Sequence, residues 1–60
     1  MNELLTVKEV QEIIHCGKSK IYQLVNAHGF PKIKIGKQLY IPADELDKWI
    51  SRNIGKEVMI

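Results

Sequence analysis

Thr6-Val7-Lys8-Glu9-Val10-Gln11-Glu12-Ile13-Ile14-His15-Cys16-Gly17-Lys18-Ser19-Lys20-Ile21-Tyr22-Gln23-Leu24-Val25-Asn26 is the stretch on which the fold turns. It opens with a capping box. The Thr6 hydroxyl is set to accept from the Glu9 backbone N–H while the Glu9 carboxylate accepts from the Thr6 N–H, so a helix should begin at Val7. Val7, Val10, Ile13 and Ile14 follow the spacing of one buried helical face, leaving Lys8, Glu9, Gln11 and Glu12 for solvent. The helix should stop near His15-Cys16-Gly17, where glycine relaxes the backbone for a sharp turn. A second helix is expected from about Lys18 to Ala27, with Ile21, Leu24 and Val25 as its inward stripe and His28-Gly29 closing it. Two short amphipathic helices separated by about three residues through a glycine form a helix-turn-helix layout.

Beyond this pair the period changes. Lys32-Ile33-Lys34-Ile35 alternates polar with apolar, Gly36-Lys37 reads as a turn, and Leu39 and Ile41 resume the alternation. Residues 32–41 are therefore expected to form a β-hairpin with Ile33, Ile35, Leu39 and Ile41 on its inner face. Pro42 should end it, since proline lacks a ladder donor and suits a helix entrance. A third helix is expected from Ala43 to Arg52, with acids in its first turn and Arg52 in its last, as the helix dipole favours. Its Leu46, Trp49 and Ile50 should cover the core. A lone two-stranded hairpin is marginal in water and must lean on helices. The expected fold is α+β, mainly α: a small winged helix in which a helix-turn-helix is followed by a two-stranded β-hairpin wing and a C-terminal helix. Residues 1–53 should form this one domain and 54–60 a short C-terminal tail.

Sixty residues support one small core, because folding at this size buries only roughly 60% of the surface the unfolded chain exposes. A formal net charge of +2 is too small to prove an anionic partner, but its distribution is uneven. From Ile13 to Ala43 stand five lysines (Lys18, Lys20, Lys32, Lys34 and Lys37) and no acid; all seven acids lie outside that segment. The single cysteine, Cys16, cannot form an internal disulfide, which fits a reducing interior. No apolar run approaches the length of a membrane span or a secretory leader, so a cytoplasmic location is expected.

Subtracting the buried positions of the second helix leaves Lys18, Ser19, Lys20, Tyr22, Gln23 and Asn26, without an acid among them. A major groove admits one α-helix; lysine can contact guanine, and glutamine and asparagine can pair with adenine. Lys18 and Ser19 occupy the first turn, where backbone N–H groups attract phosphate. Lysine there opposes the helix dipole, which is understandable if an anion docks. The outward hairpin residues are expected to be Lys32, Lys34, Lys37, Gln38 and Tyr40, again acid-free. Any exposed helix face is polar, and edge strands carry lysines simply to prevent aggregation. Those explanations account for a lysine or two but not for the missing acids in both elements. A basic helix beside a basic strand pair is the footprint of DNA binding.

Leu5-Thr6-Val7-Lys8-Glu9-Val10, Lys18-Ser19-Lys20-Ile21-Tyr22-Gln23-Leu24, Phe30-Pro31-Lys32-Ile33-Lys34-Ile35-Gly36, Tyr40-Ile41-Pro42 and Leu46-Asp47-Lys48-Trp49-Ile50 together resemble the MerR-like helix-turn-helix of the excisionase family, DNA-bending factors of mobile genetic elements. The resemblance covers roughly residues 4–50. It implies a recognition helix, Lys18 to Asn26, in the major groove of double-stranded DNA, with the wing, Lys32 to Ile41, on the adjacent minor groove or backbone. It also implies a recombinase (integrase) and neighbouring copies of the chain as partners, in a bacterial or phage, nucleoid-associated setting. Gly17 stands where that family often places a Ser or Thr cap. Lysines replace the arginines common in its wing, which favours phosphate contact over bidentate base readout.

Three functions remain open to the sequence: an excisionase-like architectural factor that biases a recombinase, a small transcriptional regulator using the same surface, and a protein-interaction module. No enzyme is expected, since no nucleophile, base and orienting acid stand as a group. His15, Cys16 and His28 lack the number and spacing of a zinc site, and neither a cofactor nor a small-molecule ligand is expected. Trp49 reads as a lid on the core. Tyr22 can pack its ring and offer its hydroxyl to phosphate. Val58-Met59-Ile60 is either a disordered end or an apolar partner surface.

Overall fold

The computed structural model describes residues 3–60. Its elements run β1 (Leu4–Thr6), α1 (Val7–Ile14), α2 (Lys18–Val25), β2 (Ile33–Ile35), β3 (Gln38–Pro42) and α3 (Ala43–Arg52). The winged-helix plan is thus present, and α1 and α3 begin at the residues expected of them.

Both arms of the capping box are made: Thr6 N donates to Glu9 Oε1 at 2.9 Å and Glu9 N donates to Thr6 Oγ1 at 3.1 Å. Such a cap stabilises a helix by about 1 kcal/mol, a large share for an eight-residue helix. The far end lies where expected, but a histidine and not the glycine makes the turn. His15 terminates α1 in the left-handed region, at φ 61°, with its N–H on the Gln11 carbonyl. Gly17 serves as N-cap of α2, the position that the family resemblance implies for it, in extended conformation and with no side-chain bond to offer. Helix α2 ends at Val25, two residues before the expected Ala27, because the Asn26 amide donates to the Tyr22 carbonyl at 2.8 Å and closes the last turn. Asn53 closes α3 by the same device, on the Trp49 carbonyl at 2.7 Å.

The sheet has three antiparallel strands in the order β1-β3-β2, where a two-stranded hairpin was expected. Leu5 of β1 pairs with Ile41, and Ala43 N donates to the Glu3 carbonyl at 2.9 Å just beyond the ladder. This added strand resolves the marginality of a lone hairpin. It also places β3 at the centre of the sheet, with Pro42 at its last position, where a missing N–H costs least.

The hairpin register corrects the expected inner face. Ile33 pairs with Tyr40, Lys34 with Leu39 and Ile35 with Gln38. Directly paired residues point to the same side of a sheet, so Ile33 and Ile35 lie with Tyr40 and Gln38, opposite Leu39 and Ile41. Accordingly Ile33 and Ile35 are 43% and 55% exposed while Ile41 is fully buried. The reason is parity. A two-residue turn at Gly36-Lys37 reverses the odd-even alternation between strands, and positive φ at Gly36 alone is the pattern of a type II′ turn.

Leu5, Val10, Ile21, Leu24, Val25, Phe30, Ile41 and Leu46 form the core. Val7, Ile14, Leu39 and Trp49 pack around it half-buried. Phe30 meets Trp49 edge-to-face, with ring centroids 5.0 Å apart, so the tryptophan does cap the core. Ile13 and Ile50, expected to be buried, are 50% and 36% exposed. They line an apolar groove of about 530 Å³ between α1, α2 and α3, which Val58 and Ile60 of the tail also border. Among the described residues no helix is long and apolar enough to cross a membrane.

The register has a direct test by urea denaturation. Ile35→Thr should cost less than about 0.5 kcal/mol, as for an exposed site, whereas Ile41→Ala should cost about 2–5 kcal/mol. Comparable losses at the two positions would contradict the observed pairing.

Candidate nucleic-acid interface

Helix α2 is held by Ile21, Leu24 and Val25, all buried. Helical spacing then puts Ser19, Gln23 and Asn26 farthest from the core, and all three are exposed. The flanks differ. Lys18 and Tyr22, one turn apart, face α1, where they line a shallow groove with Val7, Lys8 and Gln11. Lys20 leans the other way and borders the apolar groove beside Leu24 and Trp49. The expected single face of Ser19, Lys20, Gln23 and Asn26 is therefore a ridge of three residues with Lys20 on its outer flank.

A second groove adjoins the first and runs to the wing, lined by Thr6, Val7, Lys8, Tyr22, Lys37, Gln38 and Leu39. The fold thus brings Tyr22 of the helix together with Lys37 and Gln38 of the wing across one seam. Tyr22 is 49% exposed, so its ring is half-packed while its edge stays open to solvent. Lys37 sits in the turn at the wing tip. Lys34, expected to point outward, shares the side of Leu39 by register yet remains exposed at the edge strand. Tyr40 lies on the opposite side of the sheet between Thr6 and Ile33, half-buried. Lys32 precedes β2 and is exposed.

The electrostatics of this side are one-signed. Neither groove along the seam is lined by a carboxylate. Among the described residues the ion pair found joins Lys48 to Glu45 on α3 at 3.2 Å, so none of Lys18, Lys20, Lys32, Lys34 and Lys37 is neutralised by a neighbour. The first turn of α2 contains no acid to complement its dipole and begins at a glycine cap. These donors are open to an external anion. The Asn26 amide is the exception. Its Nδ2 is engaged on the Tyr22 carbonyl, which leaves chiefly its side-chain oxygen for an outside partner.

A family model described as a helix-turn-helix domain matches residues 4–54. An excisionase from Streptomyces ambofaciens is 34% identical over 56 residues, 93% of this chain and 90% of that protein. The chain belongs to the excisionase family of helix-turn-helix domains. No solved structure matches it. As an excisionase-like helix-turn-helix protein it is DNA-binding, and the match extends past α3 to residue 54. Within this family fold, Lys8 and Gln11 line the seam although they read from sequence as solvent-facing positions of the first helix; their one-turn spacing puts them on one side of α1, but only the docking of α1 against α2 and the wing brings that side to the seam. Among the described residues no cluster of three or more His, Cys, Asp or Glu could hold a metal.

The capping role of Asn26 separates stability from recognition. Asn26→Ala should lower the unfolding free energy by about 1 kcal/mol, as loss of one hydrogen bond to a helix end does, measured by urea denaturation without DNA. An unchanged midpoint would contradict that role.

Proposed function

We propose that the protein is a non-enzymatic architectural factor, an excisionase-like recombination directionality factor, that binds double-stranded DNA with α2 in the major groove and the β2–β3 wing on the neighbouring backbone or minor groove. The acid-free seam between α2 and the wing carries this reading. Its lysines are unpaired, and a small rigid core holds them at fixed separation. Ser19 and Gln23 on the ridge of α2 are the residues for base edges, with the free oxygen of Asn26 beside them. Lys18, Lys20, Lys32, Lys34 and Lys37 serve phosphates, Tyr22 offers its hydroxyl to one, and Gln38 and Tyr40 support the wing contact. Residues 1–53 act as the binding domain.

A chain this small makes few phosphate contacts, so useful affinity calls for neighbouring copies on repeated sites. A recombinase is the protein partner such a role requires. A regulator of transcription would use the same residues, and the two readings separate at DNA bending. On circularly permuted fragments carrying a site selected from random duplexes, mobility should depend on the position of the site. Binding should weaken with salt at a log-log slope of about −4 to −5, for roughly five lysine contacts. Position-independent mobility would remove bending from the account, and a flat salt dependence would favour a protein-interaction module.

Helix and wing should also separate by specificity. Gln23→Ala should weaken the selected site more than random DNA, while Lys37→Ala should weaken both about equally. Equal losses for the two variants would contradict this division of labour.

A further inference from the structure

Lys8 lies at the meeting point of the two seam grooves. It lines the groove that ends at Lys18 and the adjoining groove that ends at Lys37, and in both its companion is Tyr22. Three lysines from three separate elements, α1, α2 and the wing turn, therefore surround one half-exposed tyrosine. The nearest acid in sequence does not offset them. Glu9 is turned back along the chain, with its Oε1 accepting from Thr6 N at 2.9 Å in the capping box, and it lines neither groove. Glu12, one turn on from Lys8, is exposed and also absent from both linings.

The helix that carries Lys8 is held in place by burial of Val10 and by the strand β1 that precedes it. The site of Lys8 is thus as fixed as that of α2, while its side chain remains exposed. A bound phosphodiester is the chemistry that fits such a position: a singly charged, tetrahedral group that accepts from several ammonium donors and a phenol. We propose that Lys8 belongs to the DNA-binding surface, as a phosphate contact that shares its phosphodiester group with the Tyr22 hydroxyl and joins the helix contact at Lys18 to the wing contact at Lys37 in one continuous track. This rests on the DNA-binding reading above and adds to it a residue from the first helix. It also gives the half-packed Tyr22 a role that a base-reading helix alone does not require: the tyrosine is the shared wall between two phosphate-binding grooves.

The experiment measures binding of the full chain to a random 20–30 base-pair duplex, about that length being ample for one small domain, across a series of salt concentrations. Lys8→Gln should reduce the steepness of the salt slope by about 1 and weaken binding about five- to tenfold near 0.1 M salt. Lys8→Arg should restore both, since it keeps the charge. Lys56→Gln, the same charge change in the exposed tail, should leave slope and affinity near wild type. Because Tyr22 shares the phosphate, Tyr22→Phe and Lys8→Gln together should lose less than the sum of their separate losses. Wild-type slope in Lys8→Gln, or an effect no larger than that of Lys56→Gln, overturns the assignment of Lys8 while leaving the helix-and-wing reading intact. A wild-type chain that fails to bind overturns both. If the glutamine variant folds poorly, Lys8→Met, checked for a urea midpoint equal to that of wild type, takes its place with the same expected slope.

Discussion

Burial of Ile41 at the centre of β3 is the contact on which the remaining structure depends. This residue is completely buried, pairs with Leu5 of β1 and sits in a core of eight side chains drawn from all three helices, β1, β3 and the segment that joins α2 to β2. A core of that size has no redundancy. Each large apolar residue contributes about 1.5–3 kcal/mol by leaving water, against a net stability of a few kcal/mol in a domain of this length. The third strand matters for the same reason. It adds Leu5 to the core and gives β3 a neighbour on each side, so that a hairpin too small to persist alone becomes the middle of a sheet.

What the core holds together repels itself. Helix α2 and the wing carry five lysines with no acid between them in sequence, and α2 starts with a lysine against its own dipole from a cap that makes no side-chain bond. Local features elsewhere offset this. The capping box fixes α1, Asp44 and Glu45 complement the dipole of α3 and Arg52 its far end, and side-chain amides close both α2 and α3. Helix α2 itself is anchored by Ile21, Leu24 and Val25, three of the eight core residues, and the unfavourable charge is concentrated on its opposite side and the wing, the face proposed to meet DNA. A protein that binds an anion by counterion release is expected to be arranged in this way.

The legible parts of the sequence were the local ones. The capping box depends on residues within one turn of each other and placed the start of α1 at Val7, and Pro42 placed the start of α3 at about Ala43. The parts that misled depend on partners far along the chain or on parity. Leu4-Leu5-Thr6 is too short to announce a strand, and it becomes one only because β3 lies beside it. The hairpin alternation, followed through the two-residue turn without reversing it, put Ile33 and Ile35 inside when their pairing with Tyr40 and Gln38 puts them outside. Ile13 and Ile50 satisfy helical spacing yet border an open groove, because so small a core leaves nothing beyond it to cover them. Of the proposed site, the residues on α2 were readable by subtraction of its buried stripe. Lys8 was not, since its place beside Tyr22 and Lys37 follows from how α1 docks against α2 and the wing.

One continuous surface, made of the outer ridge of α2, the wing turn and the seam between them, is proposed to meet DNA. Nuclear magnetic resonance titration of the labelled chain with a duplex tests it residue by residue. Amide shifts should concentrate at Lys8, at Lys18 to Asn26 and at Lys32 to Gln38, with the outer side of α3 and residues 54–60 nearly unmoved. Shifts centred instead on the apolar groove around Ile13, Ile50 and Ile54, with the lysine seam silent, would contradict it.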